Sequence, residues 1–263
     1  MPNIQLPPDT LDEQAARFEQ QPLRQPVFLN SVPKSGSHLL RNIVRMFVAP
    51  EQQYQADFIQ FAALREHLYA FDPARPQLSW GHLLFADSSA IATATARKIL
   101  LVRDPFDWVL SRARFLLSES FEGELDFLRK APITTDQLLS LVIFGIPRKL
   151  PNLRETYMFN AAAWLGPDVH LVRYEDLVAQ LKQLDSEEAA QYFTALFDAC
   201  GIAMPDDWRE RVRIGSDRKH SGTAREHLAM HRHDIPDQLS PTLRSQVEVA
   251  APGMRQILGY TGN

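Results

Sequence analysis

A chain of 263 residues with 45% hydrophobic and 23% charged side chains has an ordinary globular composition, which excludes a disordered chain. Its formal charge of −4 excludes general nucleic-acid binding, because neutralising backbone phosphates takes a basic field, so any positive surface must be local. The single cysteine, Cys200, excludes an internal disulfide and a multi-cysteine zinc site, and its apolar setting LFDACGI reads as a buried structural thiol.

The opening MPNIQLPPDTLDEQ has neither a basic nor an apolar leader region. No later stretch approaches the ~20 apolar residues that a membrane span requires, so a soluble cytoplasmic protein is expected. Residues 1–26, rich in proline and polar clusters, read as a surface arm with a short helix near 10–19. Residues 27–32 form the first strong strand. A helix follows over 37–48, with Leu39, Leu40, Ile43, Val44 and Phe47 at helical spacing. A second helix is expected over 55–70. SWGHLLF, residues 79–85, is a short apolar segment carrying His82.

The second strong strand is KILLV, 98–102, ended by Arg103-Asp104-Pro105. Pro105 suits the first position of the next helix, where its missing N–H costs nothing. VHLVRY, 169–174, is the third strong strand, followed by EDLVAQL and a helix over 186–200 with an acidic first turn. Apolar strands without polar alternation, each followed by a helix, indicate an α/β fold with a central parallel sheet flanked by helices. Residues 27–263 are expected to form one domain. Ligands of such sheets bind at the carboxyl ends of the strands. There the sequence sets Pro33-Lys34-Ser35-Gly36, Arg103-Asp104-Pro105 and Tyr174-Glu175-Asp176.

Residues 33–38 leave a strand, turn through Gly36 and enter a helix, which points backbone N–H groups and a positive helix terminus at one spot. Lys34 adds a mobile cation, and Ser35 and Ser37 add hydroxyl donors. Such a loop suits a phosphate-like group, although a plain turn with a helix cap has the same residues. It is not a Walker loop, because the glycine spacing and the trailing lysine are missing. Arg103, at a strand end, and Ser111, eight residues on, could grip a second phosphate. Tyr174 could lie near a base, and Arg218 and Lys219 in GSDRKHSGTAREHL form a basic pair.

In order and spacing these segments resemble the PAPS-dependent sulfotransferases, which move a sulfuryl group from 3′-phosphoadenosine 5′-phosphosulfate (PAPS) to an acceptor and release PAP. PKSGSHLL is similar to their 5′-phosphosulfate loop PKSGTTWL, and RDPFDWVLS to their 3′-phosphate segment R-[ND]-P-x-D-x-x-x-S. YEDL matches a recurrent tetrapeptide, and RKHSGTAREHL a shortened C-terminal R-K-G-x-x-G-x-x-x-x-H-[FL] segment. The resemblance runs from about residue 27 to 228. It implies a P-loop-like fold, no metal, and in-line transfer to a hydroxyl or amine of a small-molecule, lipid or natural-product acceptor.

It further implies that Lys34 stabilises the leaving group with Ser35, Gly36, Ser37 and His38, and that Arg103, Ser111, Tyr174, Arg218 and Lys219 bind the rest of the nucleotide. His82, in the place of the family's K-x-H-[LF]-P histidine, is the expected base, with Asp87 or Glu119 as alternatives. Trp80 and Leu84 depart from the lysine and proline of that motif. His38 reads equally as a phosphosulfate contact or a helix cap. His220, His227, His231 and His233 read as a polar helix or lid rather than a metal site, and Arg225 as a further cation. Apolar residues of 119–160, among them Phe121, Phe127, Ile143, Phe144 and Ile146, read as pocket lining or as core. The competing functions are a P-loop kinase using Mg–ATP and a non-catalytic module for PAP or a polyanion. The oligomeric state, monomer or homodimer, is left open.

Overall fold

Strand β1 (Val27–Ser31) is buried along its whole length, and its alternating side chains feed two separate cores. Val27 and Leu29 pack on one face of the sheet, and Phe28 and Val32 on the other. A strand with two apolar faces has to be covered on both sides, which only helices above and below a parallel sheet provide. The computed structural model describes residues 9–55, 58–118, 125–129, 131–221 and 234–261.

Five strands line up in the order β2-β3-β1-β4-β5, all parallel: β2 (Ile59–Gln60), β3 (Leu78–His82), β4 (Arg97–Val102) and β5 (Val169–Arg173) join β1. One face is covered by α2 (Ser37–Arg45), α8 (Glu187–Cys200) and α9 (Trp208–Ser216), which bring Val44, Phe193 and Val212 against Leu29 and Ile99. Cys200 lies in this core, where burial pushes its thiol up to about 12. The other face is covered by α4 (Pro105–Leu117), α5 (Thr135–Phe144) and α6 (Leu153–Asn160), with Trp108, Leu139 and Tyr157 on Phe28 and Leu100. Full burial of each such side chain contributes about 1.5–3 kcal/mol.

The remaining α-helices are α1 (Leu11–Ala15), α3 (Asp87–Ala92), α7 (Tyr174–Lys182), α10 (Pro241–Ala250) and α11 (Met254–Ile257). The segment ahead of β1 is tied to the domain by charge. Asp9 and Asp12, each 2.7 Å away, neutralise the buried Arg45 of α2, and Leu11 and Ala15 enter the core. Among the described residues no helix is long and apolar enough to cross a membrane.

The short apolar segment SWGHLLF supplies its first four residues to β3, which lies between β1 and β2; Gly81 and His82 interrupt the apolar run. One expectation from the sequence needs correction. Of the helix expected over 55–70, the described residues 58–70 are not α-helical. The segment pairs first as the short edge strand β2, then winds through 3-10 turns over Phe61–Phe71. Only Leu64, Ala70 and Phe71 of those turns are buried, too few for the apolar stripe that holds an α-helix on a domain.

Gly81 sets how closely β3 can approach β2, because a Cβ there would lie 2.1 Å from the Ile59 carbonyl oxygen. Gly81→Ala is therefore expected to lower stability by about 1–3 kcal/mol, measured as a lower urea midpoint at an unchanged slope.

Candidate active site

The turn out of β1 requires backbone conformations that side chains rarely adopt. Lys34 has φ of 70° and Gly36 φ of 92°, both left-handed, and Ser35 N–H closes the turn onto Val32 O at 3.2 Å. A lysine held there costs of order 1–3 kcal/mol, the kind of strain that accumulates at functional sites. Helix α2 starts immediately afterwards without a side-chain cap, so the N–H groups of its first turn point into the loop.

Three side chains brace this turn. The Trp108 indole N–H donates to Pro33 O at 2.6 Å, and the Ser111 hydroxyl to Lys34 O at 3.3 Å, both from α4. The Tyr174 ring packs on Gly36 so closely that a Cβ would lie 2.5 Å from its Cδ2. Ser35 is fully buried, yet its hydroxyl has no hydrogen-bond partner. The Lys34 ammonium sits 3.7 Å above the Phe115 ring centroid.

His82 ends β3 beside the same loop. Its Nδ1 lies 3.0 Å from Ser31 O and 3.0 Å from Ser31 Oγ. A carbonyl only accepts, so Nδ1 carries the proton and Nε2 the lone pair. Burial pushes the imidazole down to about 4; the bond to Ser31 opposes this, and the nearby charges of Lys34 and Arg112 reinforce it. His82 is therefore neutral at pH 7, an acceptor surrounded by cations.

Arg103 leaves β4 with its guanidinium 4.6 Å from the Tyr174 ring centroid and Nε 4.0 Å from Glu175. Tyr157 donates its hydroxyl to Arg103 O at 2.8 Å. The acids at these strand ends are engaged elsewhere. Asp104 caps α4 through Phe106 N–H and pairs with Arg255 at 3.0 Å. Glu175, whose carboxyl is pushed up by burial, accepts from Asp104 N–H and from the Tyr260 hydroxyl at 2.8 Å. The C-terminal segment thus supplies a partner to both carboxylates.

The structure brings together Lys34, Ser35, Gly36, Ser37, His82, Arg103, Ser111 and Tyr174 at the carboxyl edge of the sheet. The His38 ring contacts the edge of Trp80, centroids 4.8 Å apart. Arg218 and Lys219 are exposed on the turn after α9, where Lys219 pairs with Asp217 at 2.9 Å and His220 Nδ1 lies 2.9 Å from the Thr10 hydroxyl. Asp87 is exposed in the first turn of α3. Glu119, Phe121, Arg225, His227, His231 and His233 lie outside the described residues. Ile143 is core, Ile146 is partly buried against it, and Phe127 and Phe144 are exposed. A cleft of about 690 Å³, lined by Arg97, Lys98 and His170, opens at the opposite, amino-terminal end of β4 and β5 and includes none of the site residues.

Four residues of this edge were not singled out by the sequence: Trp108, Arg112, Arg255 and Tyr260. Trp108 reads as core, and Arg112 as a charge on a helix surface. The other two are separated from their partners by 151 and 85 residues.

The chain aligns with the crystal structure of mouse sulfotransferase SULT7A1 complexed with PAP at a TM-score of 0.56 and 14% identity, over 96% of this chain and 94% of the other. The fold is that of a sulfotransferase. No family model matches the sequence, and no curated protein matches it. In this sulfotransferase fold the Pro33–Ser37 turn, His82 and Arg103 all lie where parallel sheets bind ligands.

The folded value of His82, about 4, lies below the ordinary 6.5, so the unfolded chain takes up the proton first. The stability contributed by the neutral ring is complete above pH 6.5 and is lost as the pH falls from there through about 4. Urea midpoints of the wild type should fall more steeply over that window than those of His82→Asn; parallel curves would contradict the assignment.

Proposed function

We propose that the protein is a PAPS-dependent sulfotransferase, with a catalytic domain over residues 27–263 and an N-terminal arm over 1–26. One observation carries the reading: an uncapped helix terminus, the Lys34 cation and a neutral His82 meet beyond β1 and β3. An orphaned hydroxyl at Ser35 and a turn that tolerates no side chain at Gly36 also suit a close-fitting anion.

PAPS, when bound, supplies an activated sulfuryl group on a phosphate. The acceptor oxygen, or nitrogen, forms a bond to sulfur as the bond from sulfur to the 5′-phosphate oxygen breaks. His82 Nε2 takes the acceptor proton. Lys34 and the loop N–H groups hold the phosphate oxygen that gains the electron pair, and PAP leaves. A bound anion offsets the charges of Lys34 and Arg112, which add to burial in depressing His82, and so raises the proton affinity of the base. Arg103, stacked on Tyr174, faces the 3′-phosphate, and Tyr174 lies beside the base. Ser111 reaches the same phosphate by exchanging its bond to Lys34 O, with Arg218 and Lys219 as further charge.

The exposed side chains of Leu84 and Phe85 lie two and three residues past His82, and Phe85 N–H bonds Phe159 O at 2.8 Å. This apolar rim supports an amphipathic acceptor, such as a lipid, phenol or polyketide. A kinase would need the Asp104 carboxylate for its metal, but that group is held by Arg255 and the α4 terminus.

Lys34→Ala should fold normally and lose about 100- to 1000-fold in transfer rate, measured with radiolabelled PAPS. PAP in EDTA should raise the melting temperature of the wild type. Stabilisation by Mg–ATP alone, or full turnover by Lys34→Ala, would overturn the proposal.

A further inference from the structure

Arg112 is a partly buried cation that the mechanism above leaves without a task. Its Nε is inaccessible to solvent and has no hydrogen-bond partner, and no described carboxylate faces it. Burial alone brings the group down to about 10. Holding a desolvated guanidinium without a counter-charge is destabilising, and such groups are retained where a ligand completes them.

Its surroundings narrow the ligand. Arg112 follows Ser111 on α4, and its guanidinium lies 5.8 Å from the centroid of the same Phe115 ring that carries Lys34. Its charge also acts on His82. Arg112 therefore faces the space shared by the base and the leaving-group cation. An in-line transfer puts the acceptor at one end of that space and the bridging oxygen at the other, with the sulfuryl group between them. Strand β3 offers no cation for it. Trp80, two residues before His82, is buried against Phe58, their ring centroids 5.5 Å apart.

We propose that Arg112 holds the oxygen atoms of the transferring sulfuryl group, reaching it from α4. This rests on the sulfotransferase reading and adds a residue to it. Arg112 is then a donor-selective contact: it touches PAPS and has nothing to touch in PAP, which lacks the sulfuryl group.

Calorimetric titration with PAP and with PAPS, both in EDTA, tests this on wild type, Arg112→Met and Arg112→Lys. Losing a charge-assisted bond of this kind should weaken PAPS by about 10- to 100-fold in Arg112→Met while PAP binding stays unchanged, and Arg112→Lys should recover part of the loss. Unliganded Arg112→Met should melt no lower than wild type, which a packing role would not allow. Equal weakening of PAP and PAPS would put Arg112 on a phosphate and overturn the inference. Unchanged PAPS binding in Arg112→Met would overturn it as well. Failure of wild type to bind either nucleotide would instead remove the sulfotransferase reading, and this inference with it.

Discussion

Everything at the carboxyl edge depends on the turn between β1 and α2 being held in a conformation it would not choose. Two left-handed residues, Lys34 and Gly36, let the chain reverse within a few residues and present the α2 terminus toward the loop. That geometry is fixed from outside: by the Trp108 indole on Pro33 O, the Ser111 hydroxyl on Lys34 O and the Tyr174 ring on Gly36. The bracing residues come from α4 and from the end of β5, so the sheet order β3-β1-β4-β5 determines which strand ends can serve the loop. Preorganised donors of this kind need no rearrangement when charge develops.

Electrostatics at the site follow from a division of labour between the two ends of the chain. Asp104 and Glu175 would repel an anion if they faced it. Arg255 and Tyr260 hold them, and Arg103 stacks on Tyr174 with its Nε 4.0 Å from Glu175. The chain as a whole is acidic, at −4, and the cations Lys34, Arg103 and Arg112 are a local exception. His82 remains a neutral acceptor among these cations because Ser31 fixes its tautomer and burial disfavours its charged form. The surface past β3, by contrast, is apolar, with Leu84, Phe85 and Phe159 exposed.

The α/β class was legible because β1, β4 and β5 are continuous apolar runs, and the loop because Pro33–Ser37 breaks such a run with a lysine and a glycine. Strand β3 was not recognised as a strand, since Gly81 and His82 interrupt its pattern for reasons of close approach and chemistry. The 55–70 segment misled because its apolar residues are numerous but do not share one buried face: Phe61, Leu68 and Tyr69 are exposed. Arg112 could not be distinguished from a solvated helix charge, because the burial of one charged side chain on α4 leaves no mark in the local spacing. Asp104 and Glu175 gave no hint of their distant partners, since long-range pairing leaves no local spacing to read.

A structure of the protein with PAP bound tests the central assignment most directly. The 5′-phosphate should lie about 3 Å from the loop N–H groups and from Lys34 Nζ, as charge-assisted hydrogen bonds require, with the 3′-phosphate at Arg103. A 5′-phosphate found away from the Pro33–Ser37 turn would contradict it.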